Sequence, residues 1–129
     1  MGQPCHAPCA VGGMTDQPRP PQLPHHSLVA FHVAVALLLA IKAAHIRDAK
    51  LREEALRADK STCCNIAEGA GRFTRADKAR AFTIAPGEGL EAFAALETAA
   101  LAGDAEQADV QRCLPIASRL YALLTGLIR

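Results

Sequence analysis

Long apolar stretches with helical spacing alternate along this chain with short breaks rich in glycine, proline and charge. Residues 28–41 read Leu-Val-Ala-Phe-His-Val-Ala-Val-Ala-Leu-Leu-Leu-Ala-Ile, apolar around most of a helical circumference. With Ser27 as N-cap they predict a helix over 28–45. A second helix is expected over 49–68. There Leu51, Ala55, Ala58, Thr62 and Ile66 recur at the three-to-four spacing of one buried stripe, while Arg52, Glu53, Arg57 and Lys60 fall mainly on other faces. Gly69 and Gly71 follow as permissive backbone for ending that helix and reversing the chain. A third helix is expected over 74–102, with Phe82, Gly89, Phe93, Leu96 and Ala100 along one side. Proline lacks an N–H and clashes one turn back, so Pro86 predicts a bend or break between Phe82 and Gly87. After a turn at Gly103-Asp104, a fourth helix is expected over 109–128, with Cys113, Ile116, Leu120, Leu123, Leu124 and Leu127 as its stripe. Pro115 suits the first turn of that helix, with 109–114 as a lead-in. No alternating β-branched run suggests a strand. The pattern predicts an all-α protein, an antiparallel up-and-down four-helix bundle.

The first 26 residues break this pattern. They hold Pro4, Pro8, Pro18, Pro20, Pro21 and Pro24 with the pair Gly12-Gly13, and too few apolar groups to offset the entropy of ordering them. The expected organisation is therefore a disordered tail over 1–26 and a bundle domain over 27–129. The tail lacks the charged start and apolar centre of a secretory signal. Cys5, His6, Cys9, His25 and His26 do not have the spacing of a zinc site, so neither metal nor other cofactor is expected.

The apolar run of the first helix decides two further points. A membrane span needs about 20 apolar residues, and this run is shorter and contains His32, so no membrane partner is expected. Its Val29, Phe31, Val33, Val35, Leu37, Leu38, Leu39 and Ile41 cannot share one stripe. At least two should therefore remain exposed side by side, and such a patch predicts a homo-oligomer.

Composition adds an asymmetry. The 129 residues are 50% apolar, with one Tyr, four Phe and no Trp, and the formal net charge is +1. That balance argues against a generic polyanion binder. Residues 42–80 carry ten Lys/Arg against six Asp/Glu, whereas 81–111 carry six acids and no base. The densest basic stretch is 72–80, where Arg72, Arg75, Lys78 and Arg80 are the candidate nucleic-acid contacts. Arg75 and Lys78 share a face if the stretch is helical, and base stacking by interleaved aromatic residues is not expected of it. No catalytic residue is expected. Glu68 has no partner nucleophile or histidine at helical spacing, and pairing with Arg57 or Arg72 is its expected role. Asn65 is expected to tie down backbone near a helix end. Cys63, Cys64 and Cys113 are expected as small hydrophobes, and the odd total of five cysteines suits a reducing cytoplasm.

The run Asn65-Ile66-Ala67-Glu68-Gly69-Ala70-Gly71-Arg72 resembles the NIAEGxGR hallmark of the four helix bundle proteins of 23S rRNA intervening sequences. Upstream, Arg57, Ala58 and Ser61 stand where the family pattern RAxxSIPxNIAEG has its Arg, Ala and Ser. Downstream, Ile84-Ala85, Gly87, Glu91 and Ala94-Ala95-Leu96 are similar to its IARGSxxE…AxL helix, and residues 123–129 to its LTGLIR ending. Thr62-Cys63 replace the usual Ile-Pro, and Pro86 and Glu88 replace the Arg and Ser of ARGS. The resemblance covers residues 27–129 and implies a four-helix protomer assembling as a ring, often a pentamer. It also implies a structural role for Asn65, Ile66, Ala67, Glu68, Gly69, Gly71 and Arg72. Relatives accompanying the reverse transcriptases of diversity-generating retroelements bind nucleic acid and the polymerase. The function expected is a non-enzymatic scaffold or protein-interaction module, with a nucleic-acid-binding accessory factor as the alternative.

Overall fold

In a computed structural model of the protein, the residues described are 18–128. Those residues form helices α1 (Val29–Ala43), α2 (Ala49–Ala70), α3 (Arg75–Phe82), α4 (Ala85–Leu101) and α5 (Gln107–Ile128), with a short 3-10 turn at Pro24–Ser27 and, among the described residues, no strand. Local chemistry fixes most boundaries. The Asp48 carboxylate accepts from the Leu51 N–H at 2.8 Å and starts α2. The Thr74 hydroxyl does the same for the Asp77 N–H at 3.1 Å and starts α3. The expected third helix is divided where Pro86 requires it. Its first half stops at Phe82, and Pro86 sits in the first turn of α4, where its missing N–H costs nothing. Gly103, with φ +84°, closes α4: its N–H donates to Ala100 O and that of Asp104 to Ala99 O at 2.7 Å.

Each long helix packs against two neighbours, α2 on α4 most extensively, with α1–α2, α4–α5 and α1–α5 completing the circuit. The α1–α2 and α4–α5 connections meet at one end. There the Arg47 N–H donates to Asp104 O at 2.7 Å, and its guanidinium to Gly103 O at 2.6 Å. Leu37, Ile41, Ile46, Ile66, Leu96, Leu120 and Leu124 fill the core among many alanines.

Several expectations need correction. Ser27 does not cap α1. Its hydroxyl donates to Pro24 O, Leu28 holds the N-cap position without a side-chain bond, and the 3-10 turn packs on α1 and α2, so packed chain begins at Pro24. The expectation for residues 1–17, with Cys5, His6 and Cys9, lies outside the described residues. α1 ends two residues early because His45 adopts φ +48°. Pro115 lies inside α5 without ending it. Pro115 and Gln111 are both exposed, so water can reach the carbonyl that the proline leaves unpaired. Of the eight large residues of α1, Val33, Leu37 and Ile41 are buried and Phe31, Val35 and Leu38 half-buried. Only Val29 and Leu39 are exposed. They stand ten positions apart, so the adjacent exposed pair expected on α1 is absent.

Gly69 is the clearest revision. It is buried inside α2 rather than turning the chain, and a Cβ there would lie 2.5 Å from the Phe82 ring. The glycine lets α3 press its last residue against α2. Gly69→Ala should therefore destabilise the protein by roughly 1–3 kcal/mol, since the ring must move within a packed core. Urea unfolding checks this, and an unchanged midpoint would show that the ring swings aside freely.

Candidate functional site

Around the Asn65–Arg72 run lies a shallow cleft of about 230 Å³ where the last turns of α2 face α3. Asn65, Glu68, Arg72, Asp77, Arg80, Ala81 and Ile84 line it. α2 supplies the first two residues at i and i+3, one above the other on a single face. Asn65 Nδ2 donates to Ser61 O at 2.8 Å and Ser61 Oγ at 3.1 Å. Arg72 donates to Glu68, and Arg80 Nη2 lies 3.5 Å from Asp77 Oδ1. The lining thus carries two ion pairs and no histidine or cysteine. Half-exposed pairs of this kind contribute about 0–1 kcal/mol each, so they set side-chain positions more than stability. Ile66, Gly69 and Ala70 of the same run turn inward and are buried, whereas Ala67 is half-buried and Gly71 exposed at the helix end.

Arg57, the other partner considered for Glu68, serves elsewhere. It bridges α2 to α4, with Nη2 2.7 Å from Glu54 Oε1 and 3.3 Å from Glu91 Oε1, and Nη1 3.8 Å from Glu88 Oε2. The hydrogen bond from Arg57 holds the Glu54 carboxyl below its usual range, while the bond between Glu54 and Glu91 pushes Glu91 up. Glu88 joins this bridge.

The basic segment is less open than its composition suggests. Arg72 and Arg80 are already paired. Lys78 is half-buried, and its Nζ donates to Ala70 O at 2.9 Å, which satisfies a carbonyl left over at the end of α2. Arg75 opens α3 and is exposed. Lys78 therefore does not join Arg75 in a cationic face. Phe73 is the larger surprise. It was passed over as a stacking group, yet its side chain stands fully exposed on the α2–α3 connection between Arg72 and Arg75.

The residue that pattern reading missed is Asp59. It is wholly buried in α2, and neither carboxylate oxygen has a hydrogen-bond partner. Burial pushes its carboxyl up to about 7. One turn on, burial and the Asp59 charge push the Cys63 thiol up to about 12, which makes it a poor nucleophile. A signal existed: Ala55, Ala58, Asp59 and Thr62 follow i, i+3, i+4, i+7, so Asp59 falls inside the buried stripe. Of the other groups weighed earlier, Cys64 is exposed and Cys113 buried, both as free thiols. His25 and His26 pack about Phe31, with ring centroids 4.6 and 6.4 Å away. No group of three or more His, Cys, Asp or Glu side chains among the described residues is placed to hold a metal ion, and no helix there is long and apolar enough to cross a membrane.

Compared with protein-family models and with curated proteins, the chain matches none.

Asp59 yields a test with a definite sign. Its folded-state pKa lies above the ordinary 3.8, so the folded chain binds this proton more tightly than the unfolded chain. The stability it contributes is complete below that ordinary value and is lost as pH rises through about 7. Asp59→Asn, which cannot titrate, should gain on the parent protein as pH rises and level off beyond that point. The rise from 3.8 to about 7 sets the expected relative gain between acid and alkaline pH at about 4 kcal/mol. Urea titrations of both proteins across this range measure it; a gap independent of pH would place an ion partner beside Asp59.

Proposed function

We propose that this chain is a non-enzymatic, antiparallel up-and-down four-helix bundle, its third arm made of α3 and α4, that acts as a self-associating scaffold or protein-interaction module. The observation that carries this reading is the outer flank of α4 and α5. Leu90 and Leu101 of α4 and Leu114 and Tyr121 of α5 are exposed there. Leu90, Phe93, Leu114, Ala117 and Tyr121 also line a groove of about 390 Å³. Contiguous exposed apolar surface of this kind marks interaction sites. The patch thus falls on α4–α5 rather than on α1.

In this reading the Asn65–Arg72 run is architectural. Gly69 admits the Phe82 ring, Ala70 O receives Lys78, and Glu68 holds Arg72 over the α2–α3 connection. The resemblance to the intervening-sequence proteins adds the ring, with a pentamer as the specific expectation. No cofactor is required, and the free thiols at Cys63, Cys64 and Cys113 fit a reducing cytoplasm. A second reading, a nucleic-acid-binding accessory factor, draws on Phe73 beside Arg72 and Arg75 and on the largely exposed Arg80.

Light scattering on the eluting protein at micromolar concentration is expected to give one discrete assembly larger than a single chain. A monomer at all concentrations would refute the self-associating scaffold. Titration of a labelled single-stranded oligonucleotide at two salt concentrations is expected to give no saturable binding. Saturable, salt-sensitive binding would favour the accessory factor instead.

A further inference from the structure

We propose that Phe73 of one copy inserts into the α4–α5 groove of a second copy, so that the chains join end to flank. This rests on the self-association proposed above and names its contact. Phe73 is fully exposed and its own groove does not hold it. A large aromatic side chain buries about 150–250 Å² and dominates the energetics of the interfaces it enters. The groove is suited to such a ring. Leu90, Phe93, Leu114, Ala117 and Tyr121 form its apolar walls, and Glu97 is its one carboxylate.

Charge points the same way. Phe73 is flanked in sequence by Arg72 and Arg75, with the exposed Arg80 beyond. Glu97 is the one charged side chain that lines the groove, and no Lys or Arg lines it. Arg112 and Arg119 of α5 fall off the line of Leu114, Ser118 and Tyr121 by helical spacing. A knob flanked in sequence by cations therefore meets an apolar groove whose one charged lining residue is Glu97, which favours this partner and orientation over like-charged alternatives. Base stacking on Phe73 is the weaker reading. A single exposed aromatic offers one stacking platform, whereas single-strand binders stack successive bases on several along a basic groove. Because knob and groove lie on different parts of each copy, the contact is heterologous and closes into a ring or extends as a filament, depending on its rotation.

The test uses Phe73→Asp, which removes the knob, and Leu114→Arg, which fills the groove with a cation. Both positions are exposed, so each variant is expected to keep the helix content and melting temperature of the parent chain. Tyr121→Arg replaces Leu114→Arg if the latter does not fold. Each variant alone is expected to self-associate roughly 30-fold or more weakly, the loss of an aromatic hot spot. Mixed in equal amounts, the two should form a heterodimer that grows no further, since one intact knob and one intact groove remain. Undiminished assembly of Phe73→Asp overturns the inference and leaves self-association standing. So does a groove variant that abolishes assembly with no rescue on mixing, which assigns the flank to a symmetric contact. If Phe73→Asp assembles normally but binds a single-stranded oligonucleotide less tightly than the parent, the ring is a base-stacking group and the inference fails. A parent chain that is monomeric removes both the inference and the reading beneath it.

Discussion

The structure depends on the close approach of α2 and α4, which small side chains permit. α2 presents Ala55, Ala58, Thr62 and Gly69 to the interior, and α4 presents Ala85, Gly89, Ala92 and Ala99. Around this seam α2 also meets its other neighbours without bulk: a Cβ on Gly89 would sit in ordinary contact with Leu120 and Thr62, and a Cβ on Gly69 would strike Phe82 of α3. Where bulk is absent, stability comes from many short dispersion contacts rather than a few large side chains. A protein with four phenylalanines and no tryptophan has little else to use.

Two consequences follow from the seam. It keeps α2 buried along one stripe, where Asp59 lies among small residues with no protein partner and titrates far from its usual range. It also leaves larger side chains unemployed. Leu90, Leu101, Leu114 and Tyr121 lie on the far side of α4 and α5, where nothing among the described residues covers them. In that sense the exposed apolar flank is the complement of the alanine core. The cleft beside α3 has a similar origin, because Gly69 draws Phe82 inward and leaves Asn65, Glu68, Asp77 and Arg80 to line the gap outside.

Much of the helical layout was legible in the sequence, because caps, prolines and periodicity act locally. Periodicity placed helix starts near 49 and 74, where Asp48 and Thr74 turn out to be the caps, although the one cap expected, Ser27, does not act as one; Pro86 divides the third arm as its missing N–H requires. Features set by tertiary packing were harder to read. Gly69 resembles a chain-reversing glycine until Phe82 is seen against it, and Pro115 survives inside α5 because its face is exposed. The apolar run of α1 suggested an adjacent exposed patch on that helix, but neighbouring helices and the 3-10 turn cover most of it. Charge counting placed Lys78 on the surface, whereas its long stem lets it fold back onto Ala70. Asp59 was missed for a different reason: an aspartate is expected to face water, and its position within the stripe was the only warning.

The central claim is that the α2–α4 seam holds the protein together, with α3 and the 3-10 turn added to it. Native-state hydrogen exchange at single-amide resolution tests this most directly. Amides of Ala55–Ile66 in α2 and Gly89–Ala99 in α4 should exchange only through global unfolding, sharing one opening free energy and one denaturant dependence. Those of α3 should open at lower cost. Slower exchange throughout α1 and α5, with α2 or α4 opening locally, would contradict the account.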